Sequence, residues 1–106
     1  MKISIKYSKL GATPGIAQYA EKKFGTLSKF LKKFEKESDT LLDIIIEKTT
    51  RHHRKGEIFQ VKARVEILGR LVLAEDESED LYATIDAAKD TLKIEIEKFK
   101  EKHKRD

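Results

Sequence analysis

EIFQVKARVEILGRLVLAE, residues 57–75, decides the fold. From Phe59, every second residue is apolar: Phe59, Val61, Ala63, Val65 and Ile67 point one way, while Gln60, Lys62, Arg64 and Glu66 point the other. A period of two is the signature of a strand with one dry face and one wet face. Gly69 and Arg70 interrupt it tightly, and residues 70–75 resume as a hairpin partner. An antiparallel sheet open to water on one side must cover its other side, and helices in the rest of the chain are the expected cover.

Upstream, residues 2–7 alternate with Ile3, Ile5 and Tyr7 on one face, a first strand. Thr13 and Pro14 form an N-cap and first-turn pair, because proline's missing N–H is no loss there. Ile16, Ala20, Phe24, Leu27 and Leu31 then recur at spacings of three and four, predicting one helix of about five turns with lysines off its apolar stripe. Residues 41–49 are apolar on both faces, with Leu42, Ile44 and Ile46 opposite Leu41 and Ile45, which marks a central strand. From Ser78 onward Leu81, Ile85, Ala88, Leu92, Ile96 and Phe99 return to helical spacing and run into a basic tail. The acids at residues 75–80 are read as the exposed start of this helix, where each is worth about 0.3–1 kcal/mol against the helix dipole.

The predicted fold is therefore α+β: a two-layer β-α-β-β-β-α domain over residues 1–106, with a four-stranded mixed sheet and two helices packed on one face. The first two strands should be parallel with a right-handed crossover, and the others should form hairpins.

Composition narrows function. Cysteine is absent, so disulfides and cysteine metal sites are excluded. No apolar run approaches the ~20 residues that span a bilayer, and a cytoplasmic protein is expected. Charged residues make up 40% of the chain with a net charge of +4; apart from the five acids at residues 75–80, 23 bases face 14 acids. That imbalance predicts a local basic surface. No phosphate-cradling glycine loop, GxSxG, HExxH or cysteine nucleophile is present, which argues against an enzyme. His52 and His53 lack a convergent third ligand and stand among cations that repel a metal, so no metal site is expected. Arg51, His52, His53, Arg54 and Lys55 instead form a cationic loop suited to phosphate. Lysines on both helices, Lys22, Lys23 and Lys29 on the first and Lys89, Lys93, Lys98 and Lys100 on the last, are the other candidates for gripping RNA backbone.

The combination of KTTRHHRKGEIF (residues 48–59), LGRLVLAE (residues 68–75) and DLYATIDAAKDTL (residues 80–92) resembles the ribosome hibernation promoting factor family, which includes the ribosome-associated inhibitor called protein Y. The resemblance implies binding to the small ribosomal subunit and its ribosomal RNA, in the channel used by mRNA and by tRNA at the A and P sites. It implies inhibition of translation by steric occlusion, with no chemistry, no cofactor, no membrane and no small-molecule substrate. It also implies a short form of the family, monomeric off the ribosome. Lys22, Lys23 and Lys29 match usually basic positions. On the last helix the family pattern K-L-x-R-Q-L-x-K meets Thr91, Ile94 and Lys98, so only the final lysine is kept and two basic positions are lost. A general module for structured RNA, or a protein-interaction module using Ile94 or the open sheet face, are the alternatives.

Overall fold

The computed structural model describes residues 1–35, 39–49 and 56–103. In chain order they form strand β1 (Lys2–Ser8), helix α1 (Pro14–Gly25), a short helix α2 (Ser28–Leu31) running into a 3-10 turn (Lys32–Phe34), strands β2 (Leu41–Thr49), β3 (Ile58–Ile67) and β4 (Arg70–Ser78), and a long helix α3 (Leu81–His103). The sheet order is β1-β2-β3-β4. β1 runs parallel to β2, with Ile5 opposite Ile44, while β3 and β4 are antiparallel to their neighbours. Val61, Ala63, Val65 and Ile67 of β3 and Val72 and Ala74 of β4 are buried together with Ile85, Ala88, Leu92 and Ile96 of α3, in one core that also takes the stripe of α1 and α2. The α+β, two-layer reading is the observed one.

Three boundaries differ, each for a local reason. The first helix is not continuous. Gly25 weakens it, and the Thr26 hydroxyl donates to the Lys23 carbonyl at 2.7 Å, supplying the partner that the next turn would have given. Leu27 and Leu31 stay in the core regardless, so the apolar stripe outlives the break.

The hairpin turn is Leu68–Gly69 rather than Gly69–Arg70, since Ile67 pairs with Arg70. Leu68 and Gly69 have φ of 51° and 80°, the left-handed pair of a type I′ turn. Glycine accepts that conformation freely, whereas an L-residue with a Cβ loses about 1–2 kcal/mol. Leu68 is mostly exposed and so gains little burial in return. Leu68→Asn is therefore expected to raise stability by about 1 kcal/mol, read as a melting shift of a few degrees upward; an unchanged or lower midpoint would refute the strain.

The acidic run is mainly strand. β3 continues back to Ile58, and its backbone pairs Val61 with Asp76 and Phe59 with Ser78, so β4 carries Glu75, Asp76 and Glu77. Asp80 acts as the cap of α3, its carboxylate accepting the Ala83 N–H at 3.1 Å. Phe59, expected in the core, is half-buried, because its neighbours at that end of the sheet are Lys48 and Ser78.

The entry to β2 is held by one carboxylate. Glu35 Oε2 accepts the Thr40 N–H and hydroxyl, both at 2.8 Å, and the Met1 ammonium at 2.9 Å. The Thr40 hydrogen bond foremost holds the Glu35 carboxyl below its ordinary range, and the Glu35 hydrogen bond raises the Met1 ammonium. A lowered carboxyl contributes stability above its unfolded pKa and loses it as pH falls through the folded value; a raised ammonium contributes below about 8 and loses it as pH rises. Glu35→Gln is thus expected to flatten the acid limb of the stability curve below pH ~4.5, and an acid limb identical to the parent's would remove this role.

Candidate functional site

α1 and α3 pack side by side, and the side chains along α1, α2 and α3 differ in charge from one end to the other. At one end Asp86 of α3 accepts the Tyr19 hydroxyl of α1 through both oxygens, at 2.8 and 2.9 Å, with Lys23 Nζ 3.8 Å away. Tyr82 stands edge-on to Tyr19, ring centroids 4.8 Å apart. The Asp86 hydrogen bond, then burial, pushes the Tyr19 hydroxyl pKa up, so this end is a neutral clamp between helices.

The other end is cationic. The ring of Phe30, on α2, has Lys29 Nζ at 5.3 Å and Lys93 and Lys100 Nζ each at 5.2 Å from its centroid. Lys33 lies 5.2 Å over Phe34, the next aromatic along. Among the described residues none of these four lysines has an acid within ion-pair distance, whereas Lys23, Lys89 and Lys98 pair with Asp86, Asp90 and Glu95. The Lys100 ammonium is lowered first by burial and next by the Lys33 charge, against a smaller raising effect of Glu97. Burial together with the Lys33 charge thus outweighs the attraction of Glu97. Ring faces hold the ammoniums in place at about 0.5–1 kcal/mol each without neutralising them.

The predicted site residues divide accordingly. Lys29, Lys93 and Lys100 are brought together. Lys23, Lys89 and Lys98 are each drawn to a carboxylate, and Lys22 stands exposed on α1 outside the aromatic cluster. Arg51, His52, His53, Arg54 and Lys55 lie outside the described residues. Lys33 and Phe30 were not singled out by sequence. The available signal was Phe30 itself, an aromatic out of step with the Phe24, Leu27 and Leu31 stripe.

The two departures on α3 also find their places. Thr91 donates its hydroxyl to Asp76 Oδ2 at 2.8 Å, tying α3 to β4 on the side away from the lysine cluster. Ile94 is 53% exposed. Neither position belongs to the Phe30 cluster. The motif DLYATID has a structural account: Asp80 caps, Tyr82 packs on Tyr19, Ile85 is fully buried, and Asp86 clamps α1.

Residues 3–104 match the family described as Sigma 54 modulation protein / S30EA ribosomal protein. A ribosome hibernation promotion factor of Picosynechococcus sp. is 28% identical over 103 residues, covering 97% of this chain; the chain spans about half, 51%, of that relative's length. The crystal structure of the Thermus thermophilus Protein Y N-terminal domain superposes with a TM-score of 0.73 at 26% identity, over 93% of this chain and 99% of that one. A ribosomal subunit interface protein from Coxiella burnetii has the same fold, with a TM-score of 0.75 at 22% identity, over 94% and 98% of the two chains.

Proposed function

Because the chain belongs to the Sigma 54 modulation protein / S30EA ribosomal protein family, we propose that it is a ribosome hibernation factor whose single domain seats its helical face on the small ribosomal subunit. It occupies the mRNA channel and the tRNA A and P sites there and stops translation by occlusion. The observation that carries this reading is the gathering of Lys29, Lys33, Lys93 and Lys100 around two aromatic rings with no acid partner among the described residues. Uncompensated ammoniums on neighbouring helices suit successive phosphates of a folded RNA, and releasing the counterions of those phosphates drives binding. Nothing in this mechanism requires a bond to be made or broken, so the protein acts as a binder in the cytoplasm, where its target is. No helix among the described residues is long and apolar enough to cross a membrane.

The test is co-sedimentation with small subunits across a salt series, beside a structured RNA competitor. Saturation at one copy per small subunit, resisting the competitor and weakening as salt rises, is the expected result. Equal affinity for the free duplex would replace this reading with a general structured-RNA module, and binding indifferent to salt would point to a protein contact.

A further inference from the structure

Three ammoniums meet at Phe30 from two different elements. Lys29 is its neighbour in sequence, but Lys93 and Lys100 belong to α3 and leave that helix two turns apart, about 10 Å along its axis. Both ammoniums nevertheless end 5.2 Å from the centroid of the same ring, with that of Lys29 at 5.3 Å. Like charges that converge need an attractor. Among the described residues no carboxylate lies within ion-pair distance of the three. Glu97, about one turn from both Lys93 and Lys100, acts on Lys100 only from farther off. The negative face of the Phe30 ring is the attractor that remains. Phe34 differs: the lysine over it is Lys33, its own chain neighbour, and its ring is turned edge-on to Phe99 at 5.7 Å.

From this convergence we infer that Phe30 is a positioning residue for RNA: its ring sets where the ammoniums of Lys29, Lys93 and Lys100 stand before the ligand arrives. This role rests on the proposed ribosome function and adds to it a residue that carries no charge. The ring is itself fixed. Phe30 is half-buried and packs against the core, and its N–H donates to the Leu27 carbonyl at 3.0 Å in the short turn that follows the break at Gly25. A free lysine has among the largest rotamer freedoms to lose when a phosphate fixes it. Lysines already gathered lose less, which is how preorganisation strengthens binding without adding a contact. Leucine at position 30 would still cover lysine stems but has no ring face, which separates positioning from packing.

Two measurements distinguish this role from a merely structural one. In NMR spectra of the free protein, the ε-methylene protons of Lys29, Lys93 and Lys100 are expected upfield of those of exposed Lys22, through the ring current of Phe30, and their ε-carbons are expected to be more ordered. Glu97→Gln should leave both signatures in place, whereas Phe30→Leu should release the three ε-carbons to the mobility of Lys22. In co-sedimentation with small subunits, Phe30→Leu is expected to weaken binding about tenfold. Its salt slope should stay that of the parent, because the same number of phosphates is neutralised. Phe30→Tyr keeps a ring face and is expected to bind within about twofold of the parent. Circular dichroism verifies that each variant is folded. Parent lysines without the upfield displacement, a cluster dispersed by Glu97→Gln, ε-carbons as ordered in Phe30→Leu as in the parent, or parent-like binding by Phe30→Leu would each overturn the proposal. So would a reduced salt slope in that variant, which would mean lost phosphate contacts. A parent that does not bind small subunits would overturn the ribosome function and this role with it; every other contrary outcome overturns the role of Phe30 alone.

Discussion

Replacing Lys29, Lys93 and Lys100 together by glutamine is expected to lower affinity for the small subunit by on the order of 100-fold near 0.1 M salt and to reduce the salt slope by about 2 to 3. Each glutamine leaves one RNA phosphate without its ammonium, and the counterions of that phosphate are then no longer released. The folded state should barely notice. Cation–π attraction to Phe30 stabilises the cluster by about 0.5–1 kcal/mol per ammonium, but mutual repulsion of the three cations opposes it, so the net change is within about 1 kcal/mol. The matched control is Lys89→Gln with Lys98→Gln. Both ammoniums already sit on neighbouring carboxylates, Lys89 at 2.6 Å and Lys98 at 3.4 Å, and their loss is expected to change affinity only a few-fold. Parent-like binding by the triple variant, or a larger effect from the control pair, would displace the site from Phe30.

The second large effect falls on stability. Ile85→Ala is expected to cost about 2–5 kcal/mol, a drop on the order of 10–20 °C in melting temperature for a chain of this size. Ile85 is fully buried beneath α3, sharing its core with Val61, Val65 and Ala74 of the sheet. The cavity left by its branched side chain lies between a helix and strands that cannot collapse toward each other without breaking their own ladders. Phe59→Ala, which the alternation alone would rank as equally severe, is expected to cost only about 1 kcal/mol, since Phe59 is half-buried at the end of the sheet. Chemical denaturation of both variants checks the order, and a Phe59→Ala loss as large as that of Ile85→Ala would place Phe59 in the core after all.

Those two residues show how far periodicity reaches. It assigned Val61, Ala63, Val65 and Ile67 to the buried face correctly because a strand's side chains alternate whatever surrounds it. It could not say that Phe59 would be only half-buried while the adjacent Ile58 is fully buried. The same limit applies to the acids after Leu73. Glu75, Asp76 and Glu77 have poor strand propensity and look like a helix start, yet β3 is long enough to supply ladder partners as far as Ser78. Pairing with a neighbour overrode local preference.

The candidate site was legible in kind and not in detail. A surplus of lysine on two helices was plain from the chain, and three of the named lysines do converge. Lys23, Lys89 and Lys98 were indistinguishable from them by residue type and spacing, and only the positions of Asp86, Asp90 and Glu95 separate the two groups. Phe30 became meaningful once α2 and α3 brought Lys29, Lys93 and Lys100 over one ring from elements some sixty residues apart in sequence.

By itself, then, the sequence determined the element order, the dry and wet faces of the hairpin, the parallel first pair of strands and the basic character of the helices, because each follows from periodicity, capping chemistry or composition along a continuous segment. Only the tertiary structure decided which of the described lysines remain without acids, where β4 ends, and how Lys29, Lys93 and Lys100 gather at one ring. Those outcomes depend on distances between segments far apart in the chain, and they are fixed by strand register and helix packing rather than by any local preference.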